Sequence, residues 1–476
     1  MTELSVEATA IPGLLVVHLP VHQDSRGWFK ESWQQAKMTA LGLPDFRPVQ
    51  QNVSYNATRG ATRGIHAEPW DKFVSVSTGR AFGAWVDLRA GTSFGTSVHV
   101  ELDPSIAVFV PRGVGNSYQT LEDDVAYSYL VNDHWRAGET YPALALDDAT
   151  VAIPWPIPLA DVGSSGISAK DLAQPSLAEV TPMAPRRPLV IGARGQLGRA
   201  LLAQFPDALG VDLPGSGAEH VLDVTDAAAV AAWPWHEHDV VLNAAAYTAV
   251  DVAETPVGRP VAWAANAQAP ATLARVADEH RLALVHFSSE YVFDGTREVH
   301  TEDEPLSPLG VYGQTKAAGD LAVTTARRHL VLRTSWLIGD GGNFVRTMAR
   351  LADTGVSPAV VHDQVGRLTF TADLAAAAHH LLEVGAASGV YQVSNGGAPT
   401  SWAEVAEEVF VRRGRERSDV RRVSTQEYAA GKEMAPRPAH SVLDLSKLEA
   451  TGHVMAPALE RLDAYLAGLA GLAGSE

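Results

Sequence analysis

Leu189-Val190-Ile191-Gly192-Ala193-Arg194-Gly195-Gln196-Leu197-Gly198 decides the fold of the larger part of this chain. Three branched apolar residues without polar alternation read as a buried strand. The glycines read as a tight turn, and Arg199 to Phe205 as a helix. A strand that turns on glycine into a helix aims backbone N–H groups at a helix N-terminus, where phosphate is welcome. The spacing is GxxGxxG, so an ordinary strand-to-helix loop is the alternative to a nucleotide site. Working outward, Val240 to Leu242 and Leu282 to Phe287 read as further buried strands, with an Ala-rich helix from Ala262 to His280. That alternation predicts a doubly wound parallel sheet.

Asp212 follows the turn by about 20 residues, the position where an acid binds a ribose hydroxyl. Asp223 stands where the next loop would meet adenine. Each could instead be a cap or turn residue. Upstream of Pro175 the rhythm is different. Phe73 to Ser77, Ala81 to Leu88, Ser97 to Leu102, Ala107 to Val110 and Ala126 to Val131 are short β-branched and aromatic runs between turn signals. They predict an antiparallel sandwich or jelly roll, with little helical periodicity. The expected chain is multidomain: an all-β jelly roll over 1–175, a Pro-rich linker over 176–187, and an α/β Rossmann-type domain over 188–476. The terminal Leu-Ala-Gly repeats read as a fraying helix end.

Composition bounds the partners. The 476 residues carry 37 Lys plus Arg against 55 Asp plus Glu, a net charge of −18. Such a field repels polyanions, which argues against nucleic acid or an anionic membrane. With no cysteine, there is no disulfide framework and no Cys-ligated metal. No basic leader with an apolar core opens the sequence, and no apolar run reaches 18 residues, so a cytoplasmic protein is expected. The histidines of the N-terminal half (His18, His22, His66, His99 and His134) are scattered without an HxH pair, and no metal site is expected.

Tyr312-Gly313-Gln314-Thr315-Lys316 carries chemistry. Residues four apart share one helix face, so phenol and ammonium converge. The ammonium favours tyrosinate, which predicts a lowered phenol pKa and proton transfer near neutrality. Only 7 basic residues are lysine, so the chain otherwise uses Arg for positive charge. Ser289, at a strand end, could hydrogen-bond a carbonyl.

Asn243-Ala244-Ala245-Ala246-Tyr247, Ser288-Ser289-Glu290-Tyr291-Val292-Phe293-Asp294-Gly295, Tyr312 to Lys316, Arg333-Thr334-Ser335-Trp336 and Asp363-Gln364-Val365-Gly366 occur in this order. In that order they resemble the extended short-chain dehydrogenase/reductases, and among them the dTDP-4-dehydrorhamnose reductase family. The resemblance covers Pro188 to the C-terminus. It implies hydride transfer from NADPH or NADH to the 4-keto group of a dTDP-linked 6-deoxyhexose. Tyr312 would protonate the alkoxide, Lys316 would tune Tyr312 and hold the nicotinamide ribose, and Ser289 would polarise the carbonyl. Gly192, Gly195, Gln196, Leu197, Asp212, Asp223, Ala244, Ala245 and Ala246 would hold the cofactor, with Trp336 against the sugar. Asp212 suits a free ribose hydroxyl and Arg194 a phosphate, so both cofactors stay open.

The N-terminal motifs are similar to the dTDP-4-dehydrorhamnose 3,5-epimerase family over roughly residues 5–175. They include Arg26-Gly27-Trp28-Phe29, Gln50-Gln51-Asn52, Arg63-Gly64-Ile65-His66, Lys72-Phe73-Val74 and Ser168-Ala169-Lys170-Asp171. The resemblance implies His66 as base, oriented by Asp171, and Lys72 at the enolate. Arg26, Phe29, Gln50, Asn52 and Arg63 would bind the nucleotide part, and a homodimer is expected. The family's second proton donor, a tyrosine, aligns with Trp135, whose indole is no catalytic acid. Tyr127 or Tyr129 could substitute. The leading expectation is therefore a bifunctional epimerase and reductase. The alternatives are a reductase carrying a degenerate substrate-binding module, or a regulatory nucleotide-binding protein.

Overall fold

The computed structural model describes residues 3–134, 140–163 and 166–473. The chain forms two compact units, Met1–Pro185 and Arg186–Glu476.

In the first unit the short runs pair as two antiparallel sheets. Six strands lie in the order Ser5–Ala8, Leu15–His18, Ile106–Val110, Lys72–Thr78, Val125–Val131 and Gln50–Asn56. Four more lie in the order Thr62–His66, Val114–Thr120, Ala81–Asp87 and Ser97–Leu102. Side chains alternate faces with a period of two, and the buried set follows it. Val74, Val76, Val108, Tyr127, Trp85 and Tyr118 fill the space between the sheets. Phe73, Phe109 and Val17 point out of the six-stranded sheet and are covered by Met38, Leu43 and Phe46.

That cover includes one helix, Gln35–Ala40, whose N-cap Gln34 accepts from Lys37 N. Six residues are too few to display a periodic apolar stripe, which is why no helix was expected there. Behind the four-stranded sheet, Ile65, Val86 and Leu88 pack on Leu144, Leu146, Ile167 and Val180. The stretch expected as a Pro-rich linker is partly packed: Leu177 joins this cluster, and Met183 N donates to Leu88 O. Leu177 and Val180 are apolar, and burying them outweighs the turn-forming bias of the surrounding prolines.

In the second unit seven parallel strands run in the order His220–Val221, Leu209–Asp212, Arg187–Ile191, His238–Asn243, Ala283–Ser289, His329–Thr334 and Gly389–Gln392. The order reverses beside Arg187–Ile191, which creates a crevice at the carboxyl ends of the strands. Leu189 and Ile191 face one apolar layer and Val190 the other. The helix after the glycine turn is Gln196–Gln204. The long Ala-rich helix is interrupted: Gly258–Trp263 and Ala269–His280 are joined by a π-helical turn, Ala264–Gln268. A smaller lobe packs Phe344–Asp353 against Trp402–Arg412 and the terminal helix Ala458–Ala473. No helix among the described residues is long and apolar enough to cross a membrane.

Candidate functional sites

In the second unit the reversal crevice is open. A cavity of about 740 Å³ is lined by Gly192, Gly195, Asp212, Asp223 and Ala244 to Ala246. Gly192 has φ +80°, and a Cβ there would meet the backbone of Ala244 and Ala245 at 2.8–3.0 Å. Only glycine lets the turn lie this close to the neighbouring strand end. Asp212 Oδ2 accepts from Arg194 N at 2.8 Å and Asp223 Oδ1 from Thr225 N at 2.8 Å. Both acids thus brace turns while lining the cavity. A glycine turn at a helix N-terminus beside two carboxylates fits a dinucleotide.

An adjoining cavity of about 650 Å³ shares Arg194, Gly195, Ala244 and Ala246 with the first, and is lined by Gln196, Leu197, Ser289, Tyr312, Lys316 and Trp336. Tyr312 and Lys316 lie on the helix Val311–Val323, whose first N–H donates to Glu254 Oε1 at 2.7 Å. Lys316 is buried and Nζ donates to Phe287 O at 2.7 Å. Burial draws its pKa down to about 8, against the pull of Asp320.

The expected lowering of the Tyr312 phenol is not what the surroundings produce. Burial raises its pKa, and Glu290 and Tyr291 raise it further, against a smaller opposing effect of Ser289. The ammonium of Lys316 is committed to a backbone carbonyl and is itself destabilised by burial, so its field on the phenol is weak. Tyr312 therefore holds its proton, which suits a donor.

Sequence reasoning missed Glu290. Its carboxyl accepts from Ser289 Oγ at 2.7 Å, and burial pushes it up to about 7. An acidic residue beside the candidate serine was the available signal. Tyr291 packs edge-on to Tyr312 at 5.4 Å. Trp402, which no motif singled out, also lines the cavity. Among the described residues no group of three His, Asp or Glu side chains could hold a metal ion.

In the first unit His66 Nε2 and Asp171 Oδ1 are 2.8 Å apart. Asp171 sits in the short helix Ala169–Leu172, and its backbone N–H donates to Ser168 Oγ at 3.1 Å. Burial alone would raise the Asp171 carboxyl, but hydrogen bonds from His66 and Ser168 and the charge of Arg63 hold it below its usual value. Lys72 is buried and ion-paired with Glu68, with Nζ 5.9 Å from the Tyr129 ring. Arg63 Nε donates to Asn56 Oδ1 at 3.1 Å, and Gln50 Nε2 to Asn52 Oδ1 at 2.8 Å.

Arg26 and Phe29 are not brought to this group within one chain. They lie on a separate hairpin, Val21–Asp24 with Gly27–Lys30, where Phe29 is 69% exposed and Arg26 pairs with Asp24 in its own turn. Of the two candidate tyrosines, Tyr127 is buried and donates to Asn116 Oδ1 at 2.9 Å, whereas Tyr129 stands beside Lys72. Trp135 lies outside the described residues.

The second unit is thus a doubly wound dinucleotide-type fold with a Ser-Tyr-Lys site, and the first a jelly roll with a His-Asp site. The chain belongs to the RmlD substrate binding domain family over residues 186–469 and to the dTDP-4-dehydrorhamnose 3,5-epimerase family over residues 8–179. A Protein RmlC homolog of Streptococcus pyogenes serotype M6 is 42% identical over 187 residues, covering 38% of this chain and 92% of that protein. A probable dTDP-4,6-dihydroxy-2-methyloxan-3-one 4-ketoreductase of Streptomyces antibioticus is 42% identical over 272 residues, 56% of this chain and 88% of that protein. The solved dTDP-4-dehydrorhamnose reductase of Bacillus anthracis, in complex with NADP, is 31% identical with a TM-score of 0.53. That match covers 59% of this chain and 98% of the solved one.

Proposed function

We propose that the chain makes dTDP-L-rhamnose in two consecutive steps: 3,5-epimerisation of dTDP-4-keto-6-deoxy-D-glucose, then reduction of dTDP-4-keto-L-rhamnose. The observation that carries this reading is the presence in one chain of a His66–Asp171 pair and of Ser289, Tyr312 and Lys316 around one cavity.

In the first step His66 removes the proton beside the ketone, with its imidazole held by Asp171. Lys72 faces the developing enolate oxygen, where a cation is worth most. Arg63, Gln50 and Asn52 bind the nucleotide part. In the second step Ser289 hydrogen-bonds the ketone and Tyr312 gives its phenolic proton to the alkoxide. NADPH, when bound, supplies the hydride. Gly192, Gly195, Gln196 and Leu197 would hold its pyrophosphate, Asp212 and Asp223 its adenosine end, and Lys316 its nicotinamide ribose. Trp336 lies against the sugar. Epimerisation is reversible, so reduction draws it forward, and covalent joining raises the local concentration of the second activity.

A homodimer fits the exposed surfaces of the first unit. Gln50–Asn56 ends its sheet with Val53 and Tyr55 in solvent, and the hairpin leaves Trp28 and Phe29 bare. Bare edge strands invite pairing with a second copy. Such a dimer would give Arg26 and Phe29 a binding role that one chain does not give them. An enzyme drawing on NADPH and a nucleotide sugar works in the cytoplasm.

The test is incubation with dTDP-4-keto-6-deoxyglucose in deuterated buffer, followed by NMR. Deuterium should enter carbons 3 and 5 without cofactor, and dTDP-rhamnose should form when NADPH is added. Loss of exchange at both carbons would refute the epimerase half.

A further inference from the structure

We propose that Asp320 is a positioning residue of the reductase site: held by Arg333, its carboxylate keeps Lys316 charged. This rests on the reductase reading above and adds two buried groups that the reading leaves unused.

Lys316 and Asp320 are four residues apart on the helix Val311–Val323 and therefore share one face. The helix packs on the strands Ala283–Ser289 and His329–Thr334. Both side chains are buried, at 2% and 1% exposure. The two strands pair with Ser288 opposite Arg333. Arg333 is buried as well, and its Nε donates to Asp320 Oδ2 at 2.9 Å. Asp320 thus serves two buried cations, Arg333 through a hydrogen bond and Lys316 through its charge.

Stability alone does not account for such a group. Apolar side chains often replace a buried ion pair at no cost, because both charges of the pair must leave water. What the pair does for Lys316 is specific. Burial works against the ammonium of Lys316, and Asp320 pulls the other way. A buried carboxyl left alone would take up a proton and lose that pull. Burial does raise the Asp320 carboxyl, and the permanent charge of Arg333 opposes it. Arg333 is itself fixed in place. Its guanidinium lies over the Phe293 ring at 5.2 Å, and that ring stacks on His300 at 4.5 Å.

The other titratable groups around Lys316 do not replace Asp320. Burial holds His286, on the strand Ala283–Ser289, neutral, and the charge of Lys316 adds to this. Tyr312 keeps its proton, and the Glu290 carboxyl is engaged by the Ser289 hydroxyl. Neither Asp320 nor Arg333 lines the two cavities of this unit, so both act through Lys316.

The test reads Lys316 directly in the cofactor-free full chain, by competitive labelling of amines with acetic anhydride over a pH series. Peptide mass spectrometry gives the labelled fraction at Lys316. Wild type should show a midpoint at about 8. In Asp320→Asn the midpoint should fall by about one pH unit or more, a loss of about ten-fold in proton affinity. Asp320→Glu, which keeps the charge, should recover most of the shift. Asp320→Asn leaves Arg333 buried and unpaired, so the double variant Asp320→Asn with Arg333→Met is labelled too, and its midpoint should also fall. In both Asn variants kcat/KM for reduction of dTDP-4-keto-L-rhamnose should decline at correspondingly lower pH. A purely structural pair would change the urea midpoint and leave the labelling curve in place. An unchanged Lys316 midpoint in both Asn variants would overturn the proposal and leave the reductase reading standing. Absence of reduction by wild type would overturn that reading, and the proposal with it.

Discussion

The indole of Trp336 lies flat on that of Trp402, with ring centroids 3.8 Å apart and planes 15° from parallel. Trp336 has φ +42°, a left-handed conformation uncommon for a bulky residue and kept only where its surroundings fix it. Gly366 makes room for it, since a Cβ there would meet the ring at 2.8 Å. Trp402, behind it, opens a helix with a complete capping box at Ser401 and Glu404. The stack therefore fixes Trp336 in the wall of the cavity proposed to take the keto sugar. Stacking of this kind is worth about 0.5–1.5 kcal/mol, or up to about ten-fold in binding. Trp402→Ala should raise KM for the keto sugar by about that factor and leave KM for NADPH unchanged, with Trp402→Phe recovering most of the loss. Steady-state kinetics with each substrate varied in turn reads the split.

Glu290 ties stability to pH. Its folded value is raised to about 7 from 4.5 by burial, so between those values the folded protein keeps a proton that the unfolded chain has released. The group's contribution to stability is full below pH 4.5 and is lost as pH rises through about 7. Glu290→Gln keeps an acceptor for Ser289 and removes the titration. Relative to wild type, the variant should gain stability between pH 4.5 and 8, by at most about 3 kcal/mol. Urea unfolding at the two pH values measures this, and an unchanged difference would contradict it.

Reduction should depend on the charge of Lys316. Burial sets its folded value near 8, so the ammonium is lost as pH rises through about 8, and kcat/KM of the reductase should fall there. Tyr312→Phe should lower kcat by about 100-fold or more. Deuterium exchange at the sugar, which belongs to the other unit, should not change.

Arg194 lines both cavities of the second unit, and its backbone N–H is held by Asp212. The carboxylate of Asp212 repels a 2′-phosphate, and the guanidinium of Arg194 can compensate. Arg194→Ala should therefore raise KM for NADPH about ten-fold more than KM for NADH, since a charge-assisted phosphate contact is worth about 1.5–3 kcal/mol. Equal effects on both cofactors would remove Arg194 from this role.

Much of this was legible in the sequence because local pattern and global fold agree. The run Leu189 to Ile191 with Gly192 behind it has one sensible reading, and Tyr312 and Lys316 share a helix face by spacing alone. The pairing of His66 with Asp171, 105 positions apart, could be assigned only through a family resemblance, because no periodicity links such distant residues. Other features depend on tertiary surroundings. The elevated Glu290 and Tyr312 values come from burial, which the motif Ser288-Ser289-Glu290-Tyr291 does not encode. The packing of Leu177 onto the jelly roll depends on a sheet completed far upstream. His134 reads as one of several scattered histidines in the sequence, and only the fold brings its Nδ1 to 3.0 Å from Gln50 Oε1.

The central claim is that two separable sites in one chain act in sequence. It is tested most directly by mixing two full-length variants, His66→Ala and Tyr312→Phe, with dTDP-4-keto-6-deoxyglucose and NADPH. Each alone should form almost no dTDP-L-rhamnose. An equimolar mixture should form it, because the epimerised intermediate released by Tyr312→Phe is reduced by His66→Ala. A mixture as inactive as its components, or full product from His66→Ala alone, would contradict the account.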